Sequence, residues 1–165
     1  MKKKGRIVIF DLMETIVSGG GIYPIVKRIG LDEFLDKNSD CRFVIATTSG
    51  SILTKEESIK EVEFYLEQIG IKNRISKIYY GWDMTRGIKD LAKIAKDFDV
   101  KISDLVFIGD NDRDEDSAEY FGVKFIKVPA IFRDIIKVSN PSNPETYLLD
   151  YMRAPHKFSF ENLEI

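Results

Sequence analysis

Three short apolar runs each stop at a residue suited to phosphate or metal chemistry. Ile7-Val8-Ile9-Phe10 ends in Asp11, with Thr15 following; Phe43-Val44-Ile45-Ala46 ends in Thr47; Leu105-Val106-Phe107-Ile108-Gly109 ends in Asp110, with Asp114 following. Unbroken apolar runs rich in β-branched and aromatic residues, without polar alternation, predict strands buried on both faces. Residues 75–80 and 123–128 add two further strands. Between them, residues 55–69 place Ile59, Val62, Tyr65, Leu66 and Ile69 at the 3.6-residue spacing of an amphipathic helix, with Gly70 set to end it. Helices are also expected over 22–37, in two pieces around Gly30, over 86–97 and over 115–121. Strands alternating with helices through short loops predict a Rossmann-like α/β sandwich of three layers around a central, mainly parallel five-stranded sheet. In such a sheet the carboxyl ends of neighbouring strands open onto one crevice, so Asp11, Thr47 and Asp110 should converge there.

The Gly19-Gly20-Gly21 triplet lacks the Gly-Lys-Ser/Thr ending of a P-loop and reads as a flexible flap beside that crevice. After Pro129 the alternation fades. Ser139-Asn140-Pro141-Ser142-Asn143-Pro144 is a linker-like break, which divides the chain into a domain of residues 1–138 and an extension of residues 139–165. Tyr147, Leu148, Leu149, Tyr151, Met152, Phe158 and Phe160 make the extension too apolar for a free end. It should pack on its own domain or, forming a homo-oligomer, on a partner subunit.

Composition narrows the function classes. At 165 residues with 44% hydrophobic and 32% charged positions, the chain suits one globular core. A net charge of −2 supplies no field for nucleic acid or a membrane surface, and the basic start at Lys2, Lys3, Lys4 and Arg6 reads as a solvated end. No apolar run reaches membrane-spanning length. Cys41 is the single cysteine, which excludes an intramolecular disulfide and a cysteine zinc site; a cytoplasmic location is the expectation that remains.

The ordered set of strand-end Asp, strand-end Thr, basic residue and acidic pair resembles the haloacid dehalogenase superfamily over about residues 6–128. The resemblance implies a hydrolase, most simply a phosphatase without a cap domain, acting on a phosphorylated substrate whose class it leaves open. It makes Asp11 the nucleophile that forms an aspartyl-phosphate. It makes Asp11, the main-chain carbonyl of Met13, Asp110 and Asp114 the ligands of magnesium. Two carboxylates about 5 Å apart repel by roughly 3 kcal/mol at an effective dielectric of 20, and a hard divalent cation with oxygen ligands removes that penalty. Thr47 and Thr48 would bind phosphoryl oxygens. The balancing cation has two candidates: Arg86 fits the spacing of the Lys-Gly that opens this helix in many members, whereas Lys89-Asp90-Leu91 is similar to the Lys-Asp-Leu of the phosphatases acting on polymerase tails. Spacing favours Arg86.

Met13 departs from the pattern. Family phosphatases usually carry a second Asp there, which protonates the leaving group and later activates water, a contribution of about 10²- to 10⁴-fold. Met can do neither, and Glu14 leaves the strand in another direction. The rival to a hydrolase is therefore a binding or assembly module that keeps the metal and phosphate site without turnover. Tyr80 and Trp82 fall on the crevice side and offer either substrate contact or packing.

Overall fold

The computed structural model describes residues 5–21, 23–48, 54–85, 87–132 and 158–165, with no side-chain description for Thr85. Five parallel strands form the central sheet: β1 (Ile7–Phe10), β4 (Arg42–Ala46), β5 (Ile75–Tyr79), β8 (Leu105–Gly109) and β9 (Lys124–Lys127), in the order β5-β4-β1-β8-β9. β1 is central, and every residue of β1 and β8 is buried. That is the physical content of their uninterrupted apolar sequences. Successive side chains of a strand point to opposite faces. Val8, Phe10, Phe43, Ile45, Val106 and Ile108 therefore belong to one core, and Ile7, Ile9, Val44, Ala46, Leu105 and Phe107 to the other.

The first core is covered by α1 (Leu31–Lys37) and α2 (Lys55–Gln68), through Phe34, Leu35, Val62, Tyr65 and Leu66. The second is covered by α3 (Leu91–Asp97) and α4 (Asp112–Phe121), through Leu91, Ile94, Ala95 and Ala118. Local chemistry sets the helix ends. Thr54 and Glu57 form a reciprocal capping box at the start of α2, Asp90 caps α3 and Asn111 caps α4 through side-chain bonds to amides three residues on.

Two expected helices differ. Residues 22–37 do not form a helix in two pieces: β2 (Val17–Gly20) and β3 (Tyr23–Lys27) make an antiparallel hairpin, and only α1 is helical. Gly19, Gly20 and Gly21, at φ 98°, 110° and 62°, turn the chain in a conformation that other residues adopt at a cost; Tyr23, Ile25 and Val26 suit a strand, and Pro24 is tolerated because a two-stranded hairpin has only edge strands. The helix expected from Arg86 begins instead at Leu91. Ahead of it, β6 (Met84–Thr85) and β7 (Ile88–Lys89) pair as a second small hairpin, because Asp90 is the cap and Gly87 sits at φ 75°. α4 starts three residues earlier than expected because Asn111 supplies its cap.

The proposed division at residue 138 falls on residues outside those described. The described end, 158–165, packs against the first core. Phe160 is fully buried, stacks with Phe10 and meets Phe34 edge-on, and its amide donates to the Ile29 carbonyl at 2.8 Å. Among the described residues no helix is long and apolar enough to cross a membrane.

Candidate active site

Asp11 and Asp110 follow directly on the adjacent strands β1 and β8; Asp11 falls opposite Gly109 and Asp110 one residue further on, and the two carboxylates meet where the chain leaves the sheet. The register continues one step beyond the strands. The Asp11 amide donates to the Ile108 carbonyl at 3.0 Å. Asp114 stands one turn into α4, where the Asn111 cap aims the first turn back at the strand end. Its side chain packs so closely on Gly109 that a Cβ there would lie 2.6 Å from its Oδ2. One carboxylate oxygen from each of Asp11, Asp110 and Asp114 lies within 4.8 Å of the others, and all three residues are buried.

Lys89 enters this group from β7. Its Nζ donates to Asp11 Oδ1 and to Asp114 Oδ1, both at 2.7 Å, and the residue is 7% exposed. Burial works against its charge, but Asp11 and Asp114 outweigh that, and its pKa is raised. Arg86, the other candidate cation, lies outside the described residues.

Thr15 hydroxyl, fully buried, reaches Asp110 Oδ1 at 3.0 Å and Asp11 Oδ2 at 3.3 Å. A hydroxyl has one proton, so it donates to one of these carboxylates at a time. Its participation was legible only in the spelling Asp-Leu-Met-Glu-Thr. Thr47 is buried at the end of β4, its amide bonded to the Tyr79 carbonyl at 2.9 Å. Thr48 is exposed and borders a cavity of about 370 Å³ together with Met84, Gly87, Lys89, Asn111 and Asp114. The cavity opens beside the carboxylate cluster.

Among the described residues, Asp114 has two carboxylates, Asp11 and Asp110, and one ammonium, Lys89, beside it. Burial, aided by Asp11 and Asp110 and opposed by Lys89, pushes its carboxyl up to about 7. Its Oδ2 is buried without a hydrogen-bond partner among the described residues. An oxygen-only donor set, a surplus of negative charge and an unsatisfied buried oxygen suit a hard divalent cation such as magnesium. Asp11, Asp110 and Asp114 are the side chains able to hold it.

Met13 is half-buried and packs against the first core. Glu14 takes a positive φ of 66°, and its carboxylate accepts from the Ser18 hydroxyl and from the Phe132 amide. It is thereby engaged by the hairpin and the segment after β9. Tyr80 and Trp82 stack at 4.5 Å with an interplanar angle of 14°, and Lys55 lies over the indole at 5.3 Å. Asp112 and Glu115 are exposed and pair with Lys127, as solvated members of an acidic helix start.

A parallel sheet with helices on both faces and acids clustered at the carboxyl ends of its central strands is a Rossmann-like α/β architecture with its site at the strand ends. The chain belongs to the haloacid dehalogenase-like hydrolases, whose family model matches residues 30–128. The matched stretch holds Thr47, Lys89, Asp110 and Asp114 but begins after Asp11. No match to a curated protein sequence was found. Among solved structures, the chain is similar to a haloacid dehalogenase superfamily hydrolase of subfamily IA from Geobacter sulfurreducens, at 15% identity and a TM-score of 0.60 over 82% of this chain and 100% of that one. It is also similar to D,D-heptose 1,7-bisphosphate phosphatase from B. bronchiseptica, solved with magnesium and phosphate, at 15% identity and a TM-score of 0.59 over 89% and 97% of the two chains. A haloacid dehalogenase-like hydrolase from Streptococcus pneumoniae is similar at 11% identity and a TM-score of 0.56, over 90% and 91%. At these identities the likeness is one of fold.

Proposed function

We propose that the chain is a magnesium-dependent phosphatase that works through a phosphorylated Asp11. The observation that carries this reading is Asp11 at the end of the central strand, within one buried cluster with Asp110, Asp114 and Lys89. An Asp11 oxygen attacks phosphorus, the bond from phosphorus to the leaving oxygen breaks, and that oxygen departs with the electron pair. Water then attacks the phosphorus of the acyl-phosphate, releasing phosphate and restoring the carboxylate. Asp11, Asp110 and Asp114 would hold the magnesium, which when bound neutralises carboxylate and phosphoryl charge. Lys89 carries positive charge to the same place, and of the two cations considered it is the one we assign. Thr47 and Thr48 would bind phosphoryl oxygens at the neighbouring strand end.

Met13 sets the substrate range. Neither its thioether nor Glu14, engaged by Ser18 and the Phe132 amide, donates a proton to the leaving oxygen. Aryl and acyl phosphates, whose leaving groups are stable as anions, should turn over while alkyl phosphates barely do. Steady-state rates on a phenyl and an alkyl phosphate, before and after Met13→Asp, test this. Met13→Asp should raise alkyl-phosphate hydrolysis by roughly 10² or more. If the folded variant and the wild type are both inactive on every phosphate, the second reading, a binding module retaining metal and phosphate, takes its place; Met13 is the observation that favours it.

A further inference from the structure

Arg28 follows β3 and is 4% exposed, and its side-chain donors among the described residues go to main-chain carbonyls. Its Nε donates to the Thr15 carbonyl at 2.7 Å. One terminal nitrogen donates to the carbonyls of Glu14, at 3.0 Å, and Pro129, at 2.5 Å. Burial pulls its pKa down to about 10, against the attraction of Asp110 and Glu14, so it stays charged at neutral pH. A planar guanidinium presents donors in a fixed fork, so three carbonyls held by it are held in a fixed relation to one another. Two of them belong to the loop that carries Thr15, the residue bridging Asp11 and Asp110.

That loop is not at rest by itself. Glu14 holds a left-handed conformation without being glycine, a state that persists only where the surroundings over-determine it. The surroundings do so from several sides. The amides of Ile16 and Val17 both point to the Leu12 carbonyl, the Ile131 amide donates to the Glu14 carbonyl, and Ser18 and the Phe132 amide hold the Glu14 carboxylate.

The other side of Arg28 is the end of the chain. The guanidinium carbon lies 5.7 Å from the centre of the Phe158 ring and 5.3 Å from that of Phe160. Residues 158–165 are seated firmly. Phe160 is fully buried, Glu164 pairs with Lys37 at 2.6 Å, and Gly30 leaves room for the segment, since a Cβ there would lie 2.2 Å from Ser159 Oγ and 2.5 Å from the Glu161 amide nitrogen. Aromatic faces attract a desolvated guanidinium.

We propose that residues 158–165 are a structural part of the active site: seated against Arg28, they fix the guanidinium fork that holds the Thr15 hydroxyl between Asp11 and Asp110. Arg28 is then a positioning residue that acts through Thr15. The consequence for metal affinity rests on the hydrolase reading above; the positioning itself does not.

The test uses the full chain with carbon-13 in the Asp side-chain carboxyl groups and Thr methyl groups, followed by NMR without metal and through a magnesium titration. Arg28→Lys keeps the charge and loses the fork. Phe158→Leu keeps apolar bulk, the donors of Arg28 and the buried Phe160, and removes one of the two rings against which the guanidinium is seated. Both variants should shift the Thr15 methyl and the Asp110 and Asp11 carboxyl signals of the metal-free protein. Magnesium affinity should fall about tenfold for Arg28→Lys, on the scale of one lost hydrogen bond, and less for Phe158→Leu. A purely electrostatic role would leave Arg28→Lys like wild type. Unchanged Thr15, Asp11 and Asp110 signals in either folded variant would overturn the proposal, and Phe158→Leu decides alone if Arg28→Lys does not fold. If magnesium moves no carboxyl signal even in the wild type, the metal reading fails, while the metal-free spectra still decide the role of Arg28.

Discussion

Lys89 and Arg28 are buried to a similar degree on either side of the loop after β1, and they meet opposite kinds of partner. Lys89 donates to the carboxylates of Asp11 and Asp114; Arg28 donates to the main-chain carbonyls of Glu14, Thr15 and Pro129. A compact ammonium with rotatable donors balances the charge of the carboxylates it meets. A rigid fork with delocalised charge sets the course of a backbone. The difference teaches that a buried cation beside a carboxylate cluster need not serve its charge: at one position the partner's charge matters, and at the other the partner's place.

The comparison breaks most sharply at Lys89. Lys89→Met should cost about 3 to 5 kcal/mol in urea unfolding, because it removes the cation paired with the buried carboxylates of Asp11 and Asp114. Saturating magnesium should return much of that stability. Arg28→Met should cost less, about 1 to 3 kcal/mol, since it strands neutral carbonyls, and magnesium should return none of it. If magnesium rescued both variants equally, the distinction between charge and place would be lost.

Smaller effects sharpen the same contrast away from the cluster. Tyr65 hydroxyl donates to the Gly19 carbonyl at 3.2 Å, and its ring leaves no space for a side chain at Gly20. Tyr65→Phe should cost about 1 kcal/mol and loosen the β2–β3 hairpin, seen as faster amide exchange there with exchange in β1 and β8 unchanged. Smallest should be an exposed ionic group. Hydrogen bonds from Lys77 and Tyr79, then from Lys93, hold the Asp97 carboxyl down at about 2. Its folded pKa is below its ordinary value near 3.8, so its stabilisation is present above that value and lost as pH falls through about 2. Being on the surface, it should be worth under about 1 kcal/mol, so Asp97→Asn should barely move the midpoint of urea unfolding at pH 7 and should flatten the acid limb.

Legibility in the sequence divided along the same line. Strands β1, β4 and β8 and the convergence of Asp11 and Asp110 were readable because a strand buried on both faces must be continuously apolar, and a parallel sheet brings its carboxyl ends together. Arg86 and Lys89 were readable as two choices, with spacing favouring Arg86, which lies outside the described residues; that spacing assumed a helix from residue 86, whereas Asp90 caps α3 and leaves Lys89 buried on a short strand. Arg28 was not readable. Its partners are main-chain carbonyls at Glu14, Thr15 and Pro129 and rings at Phe158 and Phe160, brought together by the tertiary fold. A carbonyl has no sequence signature, and the stretch holding Arg28 read as helix because its strand pairs only with a glycine-turned neighbour.

The central claim is that Asp11 attacks phosphorus with magnesium held beside it. Beryllium fluoride with magnesium mimics a phosphoryl group on a carboxylate, so melting curves of the wild type and of Asp11→Asn with and without that mixture test it directly. The account predicts a clear rise in Tm for the wild type, dependent on both components, and none for Asp11→Asn. A rise of equal size in Asp11→Asn would place the binding elsewhere and contradict the account.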